Sequence, residues 1–232
     1  MIGIIGAMEE EVKIIREEME GKQTVEVAGC RFYRGKLRGE DAVLVLSGIG
    51  KVNAALASAI VMERFHPDAL INIGSAGGVD PSRNIGDLVI ATRVCHHDMD
   101  VTAFGYAYGQ VPKMPLFFPC DPGLIESAGK AAARLGLSTV PGLVASGDTF
   151  MNDPERVEFL KRQFPGLLAV EMEGAAIAQV AHQYGTPFII IRSLSDIAGK
   201  QSDIRFEEFL PLAARNSAQL VLNMVEQWEK TA

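Results

Sequence analysis

Acidic side chains in this sequence cluster directly after short apolar runs. The run 2–5 is followed by Ala7, Met8 and the glutamates Glu9, Glu10 and Glu11. The run 167–170 leads into Glu171-Met172-Glu173, and the run 188–191 into Arg192, Ser193, Ser195 and Asp196. A fourth run, 69–73, opens into Gly74-Ser75-Ala76-Gly77-Gly78. Carboxyl groups can donate or accept protons in a reaction. Asp196 follows Ile189-Ile190-Ile191, a poorly hydrated setting in which a carboxyl pKa rises, as a general acid requires. Each piece also has a structural reading. Glu9, Glu10 and Glu11 suit a helix N-terminus, as do Glu171 and Glu173, and Asp196 could cap a short turn. Against this, Glu171 and Glu173 directly follow a buried strand, and side-chain alternation predicts that both point to one side.

Other chemistries are excluded by spacing. Ser47-Gly48-Ile49-Gly50-Lys51 resembles a phosphate loop only superficially. Val52 stands where Ser or Thr is needed, and the upstream glycine is missing. Gly3 and Gly6 are too far apart for a dinucleotide fingerprint. The glycines at 74–78 either let backbone N–H groups approach an anion or sugar, or make a tight turn. His96-His97-Asp98-Met99-Asp100 is a poor chelate, because neighbours in an extended chain point opposite ways. The three cysteines, Cys30, Cys95 and Cys120, show no metal spacing. No Gly-x-Ser-x-Gly elbow is present, and a cysteine nucleophile would need an activating environment. No metal is expected, and Cys95 and Cys120 are expected to be structural.

The elements that must position these groups can be read from periodicity. Strands are predicted at 2–5, 42–46, 69–73, 88–91, 142–145, 167–170 and 188–191. Helices are predicted at 8–19, 52–65, 124–135, 154–163, 174–184 and 206–229. Pro154 suits a first helical turn, and Gly136 and Gly185 suit helix ends. Residues 98–122 read as a long loop rich in Pro, Gly and aromatic residues. Buried strands alternating with helices predict a single α/β domain over 1–232, with a mixed, mostly parallel twisted sheet flanked by helices. Ligands of such sheets bind outside the carboxyl ends of the strands, where the acidic groups, Arg192 and the glycine stretch all fall.

Composition narrows the partners. Hydrophobic residues are 48% and charged residues 22%, which excludes a disordered chain. The net charge of −7 argues against a nucleic-acid binder. Apolar runs fall far short of the ~20 residues of a membrane span, and the acidic residues after 1–6 do not fit a signal peptide. An odd number of cysteines without a CxxC pair fits the reducing cytoplasm.

Several motifs together carry a family resemblance: Ile4-Ile5-Gly6-Ala7-Met8-Glu9-Glu10-Glu11, Ser47-Gly48-Ile49-Gly50-Lys51-Val52-Asn53-Ala54-Ala55, Asn72 through Gly78, Asp100 through Gly105, Ser146-Gly147-Asp148, Val170 through Gly174, and Ser193-Leu194-Ser195-Asp196. The chain resembles the bacterial 5′-methylthioadenosine/S-adenosylhomocysteine nucleosidases, within the purine nucleoside phosphorylase/uridine phosphorylase superfamily. The resemblance runs from Met1 to the last helix. It implies a three-layer nucleoside-phosphorylase-type fold, a homodimer and no cofactor. It implies hydrolysis of the N-glycosidic bond of a 5′-thio-substituted adenosine, and of 5′-deoxyadenosine, in methionine salvage. By position, Glu11 would activate water and Asp196 would protonate N7 of adenine. Met172 and Glu173 would meet the ribose, with Glu171 beside them. Phe150 would stack on adenine, the Met151 backbone would read its polar edge, and Ser195 would stand beside the acid. Ser75, Ala76, Gly77 and Arg192 would line the ribose and water end. Ala7, Met8, Ile49 and Phe206, with Val101, Phe104 and Pro112 from a partner subunit, would surround the 5′-alkylthio group. Five aromatics in 98–122, namely Phe104, Tyr106, Tyr108, Phe117 and Phe118, support an interface there.

The chemistry fits these roles. Glycoside cleavage passes through an oxocarbenium-like state. Protonating adenine removes the charge that would build on a poor leaving group, and carboxylates stabilise the cation as it forms. Acid and base on opposite sides of the sugar imply inversion. The competing reading within the superfamily is a phosphorylase. Those enzymes place an arginine after strand one, where this chain has Glu9, Glu10 and Glu11, and a carboxylate there repels phosphate and suits water. A non-catalytic nucleoside-binding domain would account for a pocket, but not for an acid, a base and a ribose-binding carboxylate together.

Overall fold

The apolar run at the N-terminus forms β1 (Ile2–Gly6), buried along its whole length. A strand with two apolar faces belongs inside a covered sheet. In the computed structural model, which describes residues 1–198 and 202–228, β1 lies between β4 (Glu40–Leu46) and β5 (Ala69–Gly78), parallel to both. β5 continues into β10 (Phe188–Ile197), again parallel. β10 pairs antiparallel with β6 (Leu88–His96), β6 runs parallel to β8 (Thr139–Ser146), and β8 to β9 (Leu167–Glu171). β9 returns to β5 through Gly77↔Val170 and Gly78↔Ala169. Strands β5, β10, β6, β8 and β9 thus close on themselves. β1, β4, β3 (Cys30–Leu37) and β2 (Glu20–Val27) extend from this closed unit as an open sheet.

Among the described residues six α-helices flank the sheet: α1 (Glu9–Glu18), α2 (Lys51–Phe65), α3 (Pro122–Leu135), α4 (Pro154–Gln163), α5 (Gly174–Tyr184) and α6 (Ser202–Glu226). Strand alternation sorts the core into layers. Ile2 and Ile4 of β1 pack with α1, α3 and α6 through Val12, Ile15, Ala128 and Val221. Ile5 faces the other way, toward Ala54, Ala57 and Val61 of α2 and Ile177 of α5. The helix ends follow local rules. The Asp121 carboxylate accepts from Leu124 N–H at 3.0 Å ahead of α3, Asp153 caps α4, and Gly136 and Gly185 close α3 and α5 in the left-handed region. No helix among the described residues is long and apolar enough to cross a membrane.

The structure departs from the periodicity reading at several places. Residues 20–37 carry no strand signal, yet they form the β2–β3 hairpin. β2 lies at the sheet edge with nearly every side chain exposed, so no burial pattern marks it. β5, β6 and β10 run past their predicted ends, so residues expected in loops, Gly74 to Gly78 and Arg192 to Asp196 among them, are strand residues. α6 starts at 202 rather than 206 and contains Pro211; position 229, its predicted end, lies outside the described residues.

Residues 98–122 hold a 3-10 turn at Thr102–Phe104 and a short strand, β7 (Phe118–Pro119), against β6. Three of the aromatics read there as interface residues serve the subunit's own packing. Phe118 is buried edge-on to His96 and His182. Phe117 lies under the Arg93 guanidinium at 4.1 Å. Tyr108 packs on Phe159 and Phe164 and donates its hydroxyl to the His97 carbonyl at 2.9 Å. Phe104 is 81% exposed.

Candidate active site

A cavity of about 290 Å³ opens where β1, β5, β9 and β10 come together. The segment after β1 contributes Ala7, Met8 and Glu11, and the turn before α2 contributes Ile49. β5 contributes Ser75, Ala76 and Gly77, and the segment after β8 contributes Thr149, Phe150 and Met151. Val170, Glu171, Met172 and Glu173 come from the end of β9, Ser195 and Asp196 from β10, and Phe206 from α6. Phe150 meets Phe206 edge-on at 5.8 Å between ring centroids.

Glu11 sits in the first turn of α1 and folds back over it. Its Oε2 accepts the N–H groups of Ala7 at 2.8 Å and Met8 at 3.1 Å, the reach-back half of a capping box. Oε1 accepts from Ser75 N–H at 3.0 Å and Ser75 Oγ at 3.3 Å. These bonds fix the carboxyl at the joint between β1 and β5. Burial pushes its pKa up, against the lowering by the Arg192 charge and by the three N–H donors. Gly74 makes the approach possible, since a Cβ there would lie 2.7 Å from Arg192 Nη1 and 2.9 Å from Glu11 Oε1.

Arg192 is 1% exposed and does not line the cavity. Its guanidinium lies behind the lining residues, close to Glu11 across Gly74, and there Asn72 Oδ1 and Glu171 Oε2 accept from Nη2, and Glu171 Oε2 also accepts from Nε at 3.1 Å. Glu171 Oε1 accepts from the Ser146 hydroxyl, and Oε2 takes the N–H groups of Glu173 at 3.0 Å and Gly174 at 2.8 Å, at the start of α5. Burial acts to raise the Glu171 pKa, but the Arg192 charge, the Ser146 hydroxyl and these bonds outweigh it and hold Glu171 ionised. Glu173 lies beyond the strand, at the N-cap of α5, so a turn rather than strand alternation brings it near Glu171. Its Oε1 accepts from Gly50 N–H at 2.8 Å, and its Oε2 stands 3.9 Å from Arg192 Nη2. Burial, then the neighbouring Glu171 charge, pushes Glu173 up to about 8.

Asp196 enters the cavity from a bulge. β10 pairs with β5 in step until Leu194↔Ala76, then skips Ser195 and resumes at Asp196↔Gly77. A bulge redirects side chains at the point where one residue is extra. Ser195 Oγ donates to Asp196 Oδ1 at 2.8 Å and lies 3.3 Å from the Ala76 carbonyl. A Cβ on Gly77 would lie 3.2 Å from Asp196 Oδ2, so glycine gives the carboxyl its room.

Val101, Phe104 and Pro112 do not reach this subunit's cavity. Thr149 and Val170 line it without having been singled out. Neither has a titratable group; Val170 opens the motif 170–174, and Thr149 follows the motif 146–148. Ser146 and Asn72 act one layer behind, and their roles come from non-local partners. His96 Nε2 faces Gln179 Oε1 at 3.0 Å, and His97 packs against Gly147, where a Cβ would lie 2.3 Å from the imidazole. Burial lowers both imidazole pKa values. Cys95 and Cys120 are buried thiols pushed up to about 12.

Comparison with known proteins places the whole chain in one family. The family model of the phosphorylase superfamily matches residues 1–226. A 5′-methylthioadenosine/S-adenosylhomocysteine nucleosidase of Geobacillus kaustophilus is 61% identical, covering 96% of this chain and 95% of its own. The crystal structure of such a nucleosidase from Neisseria meningitidis, in complex with methylthio-immucillin-A, superposes with a TM-score of 0.96 at 49% identity, over 98% of this chain and 99% of that one. Another, from Colwellia psychrerythraea in complex with adenine, gives 0.95 at 52% identity, over 97% and 94%.

The carboxyl cluster makes stability depend on pH. Folded Glu173 holds its proton up to about pH 8, whereas unfolded it ionises near 4.5. The folded state therefore binds the extra proton between these values, and this group's contribution to stability falls as pH rises through that window. Glu173→Gln removes the dependence. Denaturant titrations are expected to find the variant more stable than the parent above about pH 8, by ~1 kcal/mol or more, with the difference vanishing near about pH 4.5. Equal stabilities above pH 8 would contradict the assignment.

Proposed function

The chain belongs to the phosphorylase superfamily, and we propose that within it the cavity is built for attack by water rather than by phosphate. The protein hydrolyses the N-glycosidic bond of 5′-methylthioadenosine and S-adenosylhomocysteine, releasing adenine and the 5-thio-substituted ribose. One observation carries the choice of nucleophile. Four carboxyl groups, Glu11, Glu171, Glu173 and Asp196, face the cavity, and no Lys, Arg or His lines it among the described residues. Arg192 is behind the wall and already paired. A phosphate dianion would meet carboxyl groups and no free cation in a poorly hydrated space. The N-terminus of α2, a place where a helix could hold phosphate, is occupied by protein carboxylates: Glu173 on Gly50 N–H and Asp148 on Lys51 N–H.

The roles follow from position. Glu11, fixed by four hydrogen bonds, activates water at the β1–β5 end. Asp196, aimed by the bulge, protonates N7 of the departing adenine. Glu173 and Met172 meet the ribose, and the carboxyls around it stabilise positive charge as it develops. Phe150 stacks on adenine, with Met151 at its polar edge. Met8, Ile49 and Phe206 surround the 5′-thio substituent. On this reading the acid and the activated water act on opposite sides of the sugar, so the product is the inverted sugar.

The assembly is a homodimer on this reading. Ile49, which lines the cavity, is 51% exposed, and Val52 and Leu56 continue an apolar row along α2 at 78% and 40%. Phe104 is more exposed still. A partner covering this row brings its own Val101, Phe104 and Pro112 to the cavity mouth. The chain is read as a single domain over 1–232, and the three free, buried cysteines fit the cytoplasm.

Purified protein is expected to release adenine from methylthioadenosine in phosphate-free buffer, and Asp196→Asn to lose about 10²-fold or more in kcat, the lower end for a general acid. Strict dependence on phosphate, with a sugar 1-phosphate as product, would overturn the hydrolase reading. Light scattering at assay concentration tests the assembly: a dimer is expected, and a fully active monomer would contradict it.

A further inference from the structure

Three segments at the rim of the cavity are tied together by hydrogen bonds in which none of the proposed acid and base groups takes part. Lys51 Nζ pairs with Asp98 Oδ1 at 2.5 Å, the two side chains being 19% and 20% exposed. Asp98 Oδ2 accepts the backbone N–H of Asp148 at 2.9 Å. Asp148 Oδ1 accepts the backbone N–H of Lys51 at 2.8 Å. The three residues close a ring in which Lys51 and Asp148 each engage both main chain and side chain, and Asp98 uses both carboxylate oxygens.

Each corner of the ring adjoins the site. Gly50, one residue before Lys51, donates to Glu173, and Ile49 before it lines the cavity. Directly after Asp148 come Thr149, Phe150 and Met151, the adenine side. Asp98 opens the 98–122 segment, and its neighbour His97 donates its N–H to the Ser146 carbonyl at 2.8 Å. The contact is close enough to fix residue type. Gly50 has φ +96°, and a Cβ there would lie 3.2 Å from Asp148 Oδ1. Burial acts to raise the Asp98 pKa, but the bonds from Lys51 and the Asp148 N–H outweigh it and keep it ionised. A half-covered ion pair of this kind adds little to global stability. Its consequence is local, because it fixes the distance between two loops that line one cavity.

Resting on the nucleosidase reading, we propose that Lys51, with Asp98 and Asp148, is a positioning residue. The ring sets the adenine-side residues 149–151 against Glu173 and ties both to the segment 98–122, so it governs nucleoside affinity rather than the chemical step. Lys51→Met keeps the aliphatic stem and removes the charge, while Lys51→Arg restores it. Steady-state kinetics with methylthioadenosine, equilibrium binding of adenine and thermal melting separate the possibilities. Lys51→Met is expected to raise KM and weaken adenine binding about tenfold, with kcat within about threefold of the parent and Tm little changed. Lys51→Arg is expected to recover most of the loss. Asp98→Asn supplies the same readout should the methionine variant fail to fold. Unchanged KM and adenine affinity, or a kcat loss of about tenfold or more, overturns the inference. A parent protein that releases no adenine overturns the nucleosidase reading instead, so the two failures are distinct.

Discussion

Arg192 lies buried beneath three carboxyl groups, and one guanidinium cannot neutralise all of them. An unpaired charge in such a place costs several kcal/mol. The structure meets this constraint by unequal sharing. Glu171 receives the guanidinium, a serine hydroxyl and two backbone N–H groups and stays ionised. Glu173, beside that charge, keeps its proton well into the neutral range. Glu11 is raised by burial but draws on backbone N–H donors at the β1–β5 joint. Glu171 and Glu173, of one type and similar depth, therefore differ in protonation because their partners differ. This division makes the cavity hostile to phosphate and receptive to a cationic sugar.

The backbone is shaped around that cluster. Gly74 leaves room for Arg192 and Glu11 to meet, and Gly77 leaves room for Asp196. The bulge at Ser195 admits Asp196 without breaking the β5–β10 pairing that carries Arg192 a few residues earlier. Closure of β5, β10, β6, β8 and β9 then brings the end of β9, with its two glutamates, against β5. The helix N-termini contribute as well: α1 supplies N–H groups to Glu11, α5 to Glu171, and α2 to Glu173 and Asp148.

Much of this could be read in the sequence, for physical reasons. β1, β5 and β10 are apolar on both faces, and that pattern survives any tertiary context. The residues at the carboxyl ends of these apolar runs line the cavity. The β2–β3 hairpin escaped because an edge strand such as 20–27 buries almost nothing. The pairing of Arg192 with Glu171 and Asn72 was not legible, because sequence shows that an arginine follows a buried strand, not which carboxylate captures it. The contributions of Asn72 and Ser146 depend on partners more than 20 residues away. The aromatics of 98–122 misled in part because aromatic enrichment marks any desolvated contact. Phe118 and Tyr108 turned inward, and Phe104 did not.

The charge distribution in the cavity turns on one proton, held by Glu173 beside an ionised Glu171. Infrared difference spectroscopy of the ligand-free protein reads it directly, through the carbonyl stretch of a protonated carboxyl group. A band present at neutral pH, lost as the pH passes about 8 and missing in Glu173→Gln, is the predicted result. Absence of any protonated carboxyl band at neutral pH, or a band that persists unchanged in Glu173→Gln, would contradict the charge distribution from which the choice of nucleophile is argued.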